Sequence, residues 1–541
     1  MAFKQPQLLP PYAQSTTVSP VSIGSKRTGN DPGYDGTFNG TIDEVAVYNT
    51  ALDAPTILAH YNEAYGNSLA PVITIQPQSA TNYTGLPITL FVGAYGSAPV
   101  TYQWYKGTPP DVSTPVGVNS PDFTISSPAS TDAGKYYANI SNLVLPGGTN
   151  TAAVSVAVLP TPTSPPNIPG LVLHLPFNGN LNDVTGRGNN GTGEHAANPT
   201  GYSVNTNGSP ATFSTLAPSA ATTPDFYYTD GPFGAGSQAL HYSTVATNTG
   251  GLTANGTSVG LNDYYVTLGV RPDLQFGTNS FSVSYWIRLP VGFGTTAPNG
   301  GDLPFFTDVT NSTGGWGYVF TLAYGYGTAN PVPTTAPQYN EVGAWGTSIY
   351  DAAGNGIRYY GDNYQAINDG SYHNLVQVID RETGKFTAYI DGVPAIQYLD
   401  AGTTLNAVGS IDNGAAATIG QDPTGLYGED GQADIADLGV WRRTLTPLEA
   451  GAIYTAGTNS LSYTGTPPNP SSITITSVSK KGTSLTLSWS ASPAIAYTYS
   501  VLSRNALTIG NWTTNATGLN TTNFTDSSAS AAQKFYQVTS P

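Results

Sequence analysis

The sequence predicts an all-β protein built from tandem β-sandwiches, and its composition carries that prediction. The chain has 541 residues, more than one hydrophobic core usually holds, so several domains are expected. Charged residues make up only 9% of it, against about 25% in average globular proteins. Thr, Tyr and Val favour strands, whereas the 62 Gly and 42 Pro favour turns. The 39% hydrophobic content supplies enough core-forming residues to exclude a disordered chain.

Net charge and cysteine content exclude several classes of partner and chemistry. The formal net charge is -16 and the 17 Lys and Arg residues are scattered. No basic stripe is therefore present that could release counterions from a nucleic acid. Anionic membranes repel the same charge, and no run of roughly 18 apolar residues could insert into one. The chain has no cysteine, which excludes disulfides, thiolate metal sites and cysteine catalysis.

A strand–turn–helix pattern occurs twice along the chain. The first copy contains residues 38–48 and a predicted helix over residues 54–65, where apolar residues recur at helical spacing. Four features of the second copy stand 393 residues later in the same order: Ile435 for Ile42, Asp437 for Glu44, Leu445 for Leu52 and Tyr454 for Tyr61. This agreement in order predicts an internal duplication rather than a chance similarity.

The second copy is preceded by motifs that complete a domain. They are the strand at 171–177, Asp183 with the Gly-Asn-Asn-Gly loop at 188–191, and strands at 281–287, 372–376 and 386–393. In this order they resemble laminin-G-like, concanavalin A-like jelly rolls, whose closing strand also precedes a short helix. The resemblance implies a jelly roll over residues 171–463. Enlarged loops or extra strands are then expected at 195–265 and 290–360.

The first copy, residues 15–69, follows only a Pro-rich tail at residues 1–14. It is expected to be the C-terminal remnant of another laminin-G-like domain. A closing strand cannot bury its apolar face alone. We therefore expect this remnant either to pack on the next domain or to complete a sheet in another chain. The same observation predicts that the chain is the C-terminal piece of a longer protein, which accounts for the missing signal peptide.

Residues 70–159 resemble an immunoglobulin-like domain. Trp104 stands where strand C of that family carries its buried tryptophan, and Tyr136 stands at the position of the tyrosine corner. Val92 and Ala138 occupy the places of the usual disulfide pair. The resemblance therefore implies a sandwich in which Trp104 packs on aliphatic carbon.

The C-terminal residues 473–541 resemble a fibronectin type III-like sandwich, with strands expected around Trp489 and Tyr536. Pro-containing segments at 160–170 and 464–472 are expected to be linkers on either side of the jelly roll. The first of these is predicted to be extended and semi-rigid.

No catalytic constellation is predicted. Glucanases of the jelly-roll superfamily carry an E-x-D-x-x-E or E-x-D-x-E motif on one strand, which places two carboxylates about 5 Å apart at the sugar. None of the seven glutamates starts such a motif. The Gly-Thr-Ser-Val-Gly run at 256–260 fits an esterase elbow, but a strand rather than a helix follows it. His373 is expected to have a structural role, so we predict that the protein is not an enzyme.

Calcium is the cofactor that the acidic and amide-rich loops favour, because hard cations bind several oxygen ligands. One such loop covers residues 178–190 and the other covers residues 422–437. The resemblance to jelly rolls implies a structural calcium between them, although Ala436 stands where the family usually has Asp. The expected ligands are Asp183, Asn190, Asp434 and Asp437. The alternative is that these residues hold turns through Asx hydrogen bonds.

Exposed aromatic rings are the feature that carbohydrate recognition would need. Six aromatic residues lie in irregular, Gly-rich sequence and are predicted to be exposed platforms: Trp316, Trp345, Tyr350, Tyr359, Tyr360 and Tyr364. In contrast, Tyr318 and Phe320 alternate with smaller residues on one strand, which predicts that they are core residues.

The predicted function is that of a secreted or cell-surface adhesion protein that binds carbohydrate without catalysis. The jelly roll at 171–463 is the expected recognition module, and the expected partner is a glycan or another surface ligand. One alternative is a stalk or filament subunit that binds copies of itself by strand complementation through residues 15–69. A second alternative is an accessory region of a larger polysaccharide-degrading enzyme. The combination resembles surface proteins of environmental bacteria, and the step to function rests on analogy.

Overall fold

In a computed structural model the chain consists almost entirely of β-strands, which confirms the predicted all-β class of tandem sandwiches. The structure describes residues 40–42, 45–48, 52, 54–64, 68–195, 209–210, 213–214, 226–243, 264–291, 303–309, 316–322, 345–361, 367–395, 397–400, 404–420, 432–465, 472–492, 499–505, 511–519, 521–527 and 534–539. The chain divides into two compact units between Leu159 and Pro160.

In the described part of the first unit, one helix is followed by ten strands. Helix α1 is Ala54–Ala64. The strands are β1 Val72–Ile75, β2 Ala80–Tyr83, β3 Ile88–Phe91, β4 Gly93–Tyr95, β5 Thr101–Lys106, β6 Pro115–Val116, β7 Asp122–Ile125, β8 Gly134–Ser141, β9 Thr149–Asn150 and β10 Val154–Leu159. One sheet has the order β2-β10-β8-β5-β6 with β9 beside β8, while β3 pairs with β7 and β1 pairs with β4.

The core of this unit has the residues that the immunoglobulin-like pattern predicts. Trp104 on β5 is fully buried. Val92 and Ala138 are also fully buried, so aliphatic carbon fills the place where related domains hold a disulfide. The Tyr136 hydroxyl donates a hydrogen bond to the Asp132 carbonyl oxygen at 2.7 Å, which forms the predicted tyrosine corner.

The second unit contains a large two-sheet sandwich, a helix and a smaller C-terminal module. The sandwich strands are β11 Leu171–Leu175, β12 Thr192–His195, β13 Ser209–Pro210, β14 Phe213–Ser214, β15 Phe226–Asp230, β16 Gln238–Ser243, β17 Tyr264–Gly269, β18 Phe281–Arg288, β19 Leu303–Thr307, β20 Gly317–Leu322, β21 Trp345–Tyr350, β22 Gly356–Gly361, β23 Tyr372–Asp380, β24 Lys385–Ile390, β25 Val393–Pro394, β26 Gln397–Asp400, β27 Ala417–Ile419 and β28 Gln432–Trp441. Helix α2, Pro447–Thr458, follows the last strand.

The sandwich consists of two nine-stranded sheets. One has the order β14-β15-β16-β28-β18-β23-β24-β25, with β11 also paired to β28, and the other has the order β13-β12-β17-β27-β19-β20-β21-β22-β26. Side chains from both sheets form one hydrophobic core, to which Tyr318 and Phe320 belong as predicted. Strands β13 to β16 and β19 to β22 account for the expected extra length of this jelly roll.

Strand β28 lies inside its sheet and closes the sandwich. It pairs antiparallel with β11 and β16 along one edge and with β18 along the other. A bulge interrupts the pairing with β18 near Asp437, whose φ is 55°. Five apolar side chains of the strand are at most 1% exposed: Ile435, Ala436, Leu438, Val440 and Trp441. The bulge therefore allows one strand to supply buried residues along its whole length.

Helix α2 begins with a capping box. The Thr446 hydroxyl accepts a hydrogen bond from the Glu449 backbone N–H at 3.2 Å, and the Glu449 carboxylate accepts one from the Thr446 backbone N–H at 2.9 Å. Pro447 occupies the first turn, where its missing N–H costs no hydrogen bond. The Tyr454 ring stacks on the Trp286 ring with 5.9 Å between centroids. The helix therefore covers part of the outer face of the sheet beside β18.

The predicted linker at 160–170 is not separate from the jelly roll. Ile168 is buried, and its backbone N–H donates a hydrogen bond to the Thr464 carbonyl oxygen at 2.8 Å. Its own carbonyl oxygen accepts a hydrogen bond from Trp441 Nε1 at 3.1 Å. An apolar side chain and two hydrogen bonds of Ile168 therefore anchor the C-terminal end of the predicted linker to the sandwich, while its extended conformation stays a prediction.

Six strands form the C-terminal module: β29 Ser472–Lys481, β30 Ser484–Ser492, β31 Tyr499–Arg504, β32 Thr513–Leu519, β33 Asn523–Asp526 and β34 Phe535–Thr539. They make two three-stranded sheets in the orders β29-β30-β33 and β32-β31-β34. The rings of Trp489 and Tyr499 lie 5.2 Å apart between these sheets. A fibronectin type III-like identity of this sandwich stays a prediction.

Leu438 and Val45 occupy equivalent positions of the duplicated strand, but Leu438 is 0% exposed and Val45 is 56% exposed. Leu438→Ala should lower the free energy of unfolding of the jelly roll by about 2–5 kcal/mol, because it removes core contacts and leaves a cavity. Val45→Ala should change stability by less than about 0.5 kcal/mol. Urea unfolding followed by tryptophan fluorescence measures both, and equal losses would contradict the difference in burial.

Candidate functional site

A polar pocket opens on the outer face of the sheet formed by β16, β28 and β18. Leu240, Ile435 and Ile287 on these strands are core residues, so the adjacent side chain of each strand points outward. The pocket has a volume of about 280 Å³. Seven residues line this outer-face pocket: His241, Arg288, Leu289, Pro290, Gly370, Ala433 and Asp434.

Four outward side chains form one row across neighbouring strands, which we call the outer-face row. His241 is paired in register with Asp434. On the other side, Asp434 is paired with Arg288, and Arg288 with Tyr372. The Asp434 carboxylate bridges its neighbours: Oδ1 lies 2.6 Å from His241 Nδ1 and Oδ2 lies 2.6 Å from Arg288 Nε. Sheet register thus assembles a network of charge-assisted hydrogen bonds.

Arg288 is the permanent cation of the pocket. Its guanidinium carbon lies 4.6 Å from the centroid of the Tyr372 ring, and the Tyr372 hydroxyl donates a hydrogen bond to the Asp230 carbonyl oxygen at 2.7 Å. Burial lowers the pKa of Arg288, but the hydrogen bond and the charge of Asp434 outweigh it and raise the pKa above its ordinary value. The guanidinium donates a hydrogen bond through Nε to Asp434, and Arg288 is one of the residues that line the pocket.

His373 lies next to the row on β23 and is held on both ring nitrogens. Nδ1 lies 2.8 Å from Asp391 Oδ2, and Nε2 lies 3.1 Å from Asp369 Oδ1. The hydrogen bond to Asp391 raises the pKa of His373 above its ordinary value, although burial opposes this. Two carboxylates that fix the ring agree with the structural role that the sequence predicts for this histidine.

The predicted calcium ligands Asp183 and Asn190 organise their own loop. Asp183 Oδ1 accepts hydrogen bonds from the His174 backbone N–H at 3.1 Å and from the Thr185 hydroxyl at 2.7 Å. Its Oδ2 accepts one from the Asn189 backbone N–H at 3.1 Å. The side-chain oxygen of Asn190 accepts a hydrogen bond from the Asp183 backbone N–H at 2.8 Å. The Thr185 backbone N–H also donates to Asp183 Oδ1 at 3.1 Å, which is the kind of Asx turn bond that the sequence left open as the alternative.

The predicted ligand Asp437 is buried in a separate cluster. Its Oδ1 lies 2.7 Å from His174 Nε2 and accepts a hydrogen bond from the Ser462 hydroxyl at 2.6 Å. Its carbonyl oxygen accepts a hydrogen bond from the Tyr463 hydroxyl at 2.9 Å. The carboxylate is only 1% exposed, so it fastens the segment after α2 to β11 and β28.

The four predicted calcium ligands therefore do not form one site. Asp434 binds His241 and Arg288, while Asp183 and Asp437 accept hydrogen bonds elsewhere. In the part of the chain that the structure describes, no three His, Cys, Asp or Glu side chains come together as metal ligands. Calcium takes six to eight oxygen ligands, whereas each of these three carboxylates already accepts hydrogen bonds from its own neighbours. The described residues do not bring the four expected ligands together, a calcium site stays a prediction, and segment 421–431 lies outside the described residues.

Ser462, His174 and Asp437 have the composition of a hydrolytic triad but a different geometry. The Ser462 hydroxyl lies 3.3 Å from His174 Nε2, the same ring nitrogen that contacts Asp437. A triad needs the serine and the carboxylate on opposite ring nitrogens, so that the ring can take the proton from one side. The Tyr463 ring also stacks on the His174 ring at 4.4 Å, so the cluster is a buried structural contact.

Two of the six predicted aromatic platforms are buried in the core. Trp345 is 0% exposed and Tyr359 is 8% exposed, so the prediction that these two rings are exposed is wrong. Both rings point into the core, where Tyr359 stacks on Phe386 at 4.4 Å. Two further aromatics are partly exposed: Trp316 and Tyr350. Tyr364 lies outside the described residues, as does the side chain of Tyr360 on β22.

Sequence reasoning missed three residues of the outer-face row, His241, Arg288 and Tyr372. Each stands on a different strand, and each lies far from the others in the chain. Only strand order and register bring them beside Asp434, which the sequence had assigned to a metal. The available signal is a charged residue at the end of the buried strand β18, where Arg288 follows seven buried residues.

Two parts of the chain match models of known protein families. Residues 70–142 match the family model of the immunoglobulin domain, and residues 260–450 match that of the concanavalin A-like lectin/glucanases superfamily. The chain therefore contains an immunoglobulin-like domain and a laminin-G-like, concanavalin A-like jelly roll. No curated protein matches the chain.

Similar solved structures are immunoglobulin domains. A chimeric titin Z1Z2 functionalized with a decorin peptide is 18% identical, covers 17% of this chain and 97% of its own, and has a TM-score of 0.14. A titin M10–obscurin like 1 complex is 22% identical, with coverages of 18% and 99% and a TM-score of 0.14. The Ig1-2 module of the Drosophila receptor protein tyrosine phosphatase DLAR is 22% identical, with coverages of 16% and 45% and a TM-score of 0.15. These likenesses carry no argument about function.

The raised pKa of His373 predicts a pH-dependent contribution to stability. Its charged form is favoured in the folded protein, so the contribution is complete below the unfolded pKa of about 6.5 and is lost as pH rises through the higher folded pKa. At about pH 5.5 we expect the wild type to exceed His373→Gln by on the order of 1 kcal/mol in free energy of unfolding. The difference should shrink towards about pH 8.5 in urea titrations. A difference that grows with pH would contradict this assignment.

Proposed function

We propose that the jelly roll binds a neutral carbohydrate in the outer-face pocket and that the protein acts as an adhesion module. The observation that carries the proposal is the Asp434 carboxylate held between His241 and Arg288 at the pocket wall. A carboxylate has about four lone-pair sites, and these two contacts use two of them. Asp434 can accept a hydrogen bond from one sugar hydroxyl. The terminal nitrogens of Arg288 can donate to the adjacent hydroxyl of the same sugar.

The dimensions of the pocket support a small polar ligand. Its volume of about 280 Å³ is close to the lower end of ligand pockets, roughly 300 Å³. Pro290 and Ala433 add apolar wall beside the charged row, against which the C–H groups of a sugar ring can pack. The pocket therefore offers space for about one sugar residue with both hydrogen-bonding and apolar contacts.

The charges around the pocket favour a neutral ligand over an anionic one. Asp434 lies in the wall, and the charge of Asp230 at the end of β15 also acts on Arg288. Asp369 and Asp391 flank the row through His373. The carboxylates outnumber the permanent cation, in a chain whose net charge is -16. The negative potential of these carboxylates would repel an acidic sugar. The hydroxyl groups of a neutral sugar carry no charge and can bind Arg288 as donor and Asp434 as acceptor.

The same features support binding without catalysis. Glycoside hydrolysis takes two carboxyl groups, about 5–5.5 Å apart for retention and about 6.5–9.5 Å apart for inversion. Among the described residues that line the pocket, Asp434 is the single carboxylate. Its charge is committed to Arg288, which suits a fixed acceptor better than a general acid. An accessory role beside a separate polysaccharide-degrading enzyme is compatible with this proposal.

An extracellular or cell-surface location is part of the proposal. Immunoglobulin-like and laminin-G-like domains are typical of extracellular proteins. No helix in the described part of the chain is long and apolar enough to cross a membrane. A glycan on another cell or in a matrix is the partner that such a location would present, rather than a nucleic acid.

The proposal predicts that Arg288→Gln weakens glycan binding. A neutral amide keeps much of the side-chain length but loses the charge and the guanidinium donors, so we expect at least about tenfold weaker binding to neutral glycans. Lys385→Gln is the matched control, because it removes a cation from the exposed surface of the same sheet. A glycan array with neutral and acidic sugars, followed by calorimetry on the hits, measures the effect.

Asp434→Asn should weaken the same hits, because it removes the acceptor charge that also holds Arg288 in place. Melting curves of each variant separate a loss of binding from a loss of fold. Equal binding by wild type, Arg288→Gln and Lys385→Gln would overturn the assignment of the pocket. Hits confined to acidic sugars would overturn the assignment of a neutral ligand.

A further inference from the structure

Asp308 is one of seven buried aspartates in the described part of the chain, and its contacts differ from those of the other six. The seven are at most 8% exposed: Asp183, Asp273, Asp308, Asp351, Asp434, Asp437 and Asp526. Four of them lie against an arginine, lysine or histidine side chain: Asp273, Asp434, Asp437 and Asp526. Asp183 and Asp351 each accept at least four hydrogen bonds. A buried carboxylate needs such compensation, because its charge has lost its hydration.

The Asp308 carboxylate has no such compensation among the described residues. Asp308 follows β19 and is 1% exposed. Its Oδ1 accepts a hydrogen bond from the Tyr318 backbone N–H at 2.9 Å, and its Oδ2 lies 3.4 Å from Gln275 Nε2. Both donors are neutral amides. The Tyr318 hydroxyl is buried without a hydrogen-bond partner, so it does not donate to the carboxylate.

The titratable groups at this place are Asp412, Tyr318 and Arg442. The guanidinium of Arg442 donates hydrogen bonds to backbone carbonyl oxygens of the turn that contains Gln275. Burial raises the pKa of Asp308 well above its ordinary value, and the like charge of Asp412 raises it further. The hydrogen bonds from Tyr318 and Gln275 oppose this shift without cancelling it.

Asp351 shows the opposite environment within the same jelly roll. It is 6% exposed, but its carboxylate accepts hydrogen bonds from the backbone N–H groups of Ala353, Asn355 and Gly409 at 2.7–2.9 Å. The Asn355 side-chain amide donates a fourth at 3.0 Å. Burial raises the pKa of Asp351, but these hydrogen bonds outweigh it and hold the pKa below its ordinary value. The two buried carboxyls therefore differ in the number of donors that face them.

Three segments of the jelly roll meet at Asp308. Its carbonyl oxygen accepts a hydrogen bond from Asn413 Nδ2 at 2.6 Å, and the same amide donates to the Trp316 carbonyl oxygen at 2.7 Å. Gln275 Oε1 accepts a hydrogen bond from the Gly414 backbone N–H at 3.2 Å. We define the Asp308 cluster as four residues: Asp308, Tyr318, Gln275 and Asn413. The cluster joins the turn around Gln275 and the loop around Asn413 to the paired strands β19 and β20.

We propose that the Asp308 cluster is a pH-dependent switch in the jelly roll. The Asp308 carboxyl is protonated while the three segments are packed together. Loss of this proton to solvent leaves an uncompensated charge at a buried position, and the segments separate so that water can hydrate it. Strands β19 and β20 belong to the sheet that does not carry the outer-face pocket, so the switch goes beyond the proposed function and does not depend on it.

Proton linkage gives the direction and the size of the effect. When the segments are separated, the Asp308 carboxyl has the ordinary Asp pKa of about 3.9. When they are packed, its pKa is raised, so opening releases a proton at any pH between the two values. The packing is therefore most stable below about pH 3.9. Above it, the opening equilibrium rises by up to about tenfold per pH unit until the higher pKa is passed.

Carbon-13 NMR of the full chain, labelled at the Asp carboxyl carbons, tests the protonation directly. Asp308→Asn identifies the Asp308 signal by its absence, and Asp351→Asn does the same for the matched control. At about pH 5.5 we expect Asp308 to have the shift of a protonated carboxyl and Asp351 that of a carboxylate. An Asp308 signal that titrates at about pH 3.9, as an exposed aspartate does, would overturn the proposal.

Hydrogen exchange measured by mass spectrometry tests the opening. Asp308→Asn keeps an oxygen that can accept from Tyr318 but cannot ionise. The opening of peptides that cover 272–277, 316–318 and 411–415 should rise about tenfold in wild type relative to Asp308→Asn between about pH 5.5 and pH 8. The ratio at each pH removes the intrinsic pH dependence of exchange. Asp351→Asn should change exchange by the same factor at both pH values, and a constant ratio for Asp308→Asn would contradict the switch.

Asp412→Asn provides a second variant in case Asp308→Asn does not fold. Asp412 is exposed, and its Oδ1, which Asn retains, accepts a hydrogen bond from the Gly277 backbone N–H. The protonated Asp signal of the wild type should titrate at a lower pH in this variant, because the charge of Asp412 raises the pKa of Asp308. An unchanged titration, or a wild type with no protonated Asp signal at about pH 5.5, would also overturn the proposal.

Discussion

Insertion of β28 between β11 and β16 on one edge and β18 on the other is the interaction on which the jelly roll depends. The strand pairs with segments far from it in the sequence, since Leu175 stands 263 residues before its partner Leu438 and Arg288 stands 146 residues before Asp434. It supplies core side chains on both sides of its bulge. Loop-closure entropy opposes such long-range pairing, so the buried apolar residues of β28 must outweigh it. The long enlarged segments of the domain can be accommodated because the closing strand holds their ends together.

The same strand also determines the polar features of the domain. Register with β16 and β18 places Asp434 beside His241 and Arg288, and the bulge at Asp437 turns that carboxylate towards His174. The Asp434 carboxylate lines the outer-face pocket, whereas the Asp437 carboxylate is buried in a structural cluster. Two acidic residues three positions apart therefore have different roles, because strand geometry gives them different surroundings.

Local pattern was enough to predict much of the fold. The positions of Trp104 and Tyr136 identified the immunoglobulin-like unit, and the repeated strand–helix motif located β28 and α2. Burial of Trp345 was missed because β21 is short and lies next to Gly-rich sequence, which hides its alternation. The outer-face row could not be predicted, because its members meet only through sheet order and register. The acidic loop at Asp183 suggested a metal, since sequence does not show that backbone N–H groups already satisfy the carboxylate.

The two copies of the closing motif also show how much burial depends on neighbouring strands. Apolar residues at equivalent positions of the two copies are buried in the second copy and exposed in the first. Burial of the closing motif therefore depends on the strands that surround it.

Hydrogen–deuterium exchange with and without a neutral glycan mixture tests most directly whether the outer-face row is a binding site. We predict slower exchange at 239–243, 286–290 and 432–436 and little change elsewhere. Protection at β20 to β22 instead, or no protection at the row when glycan is bound, would contradict the account.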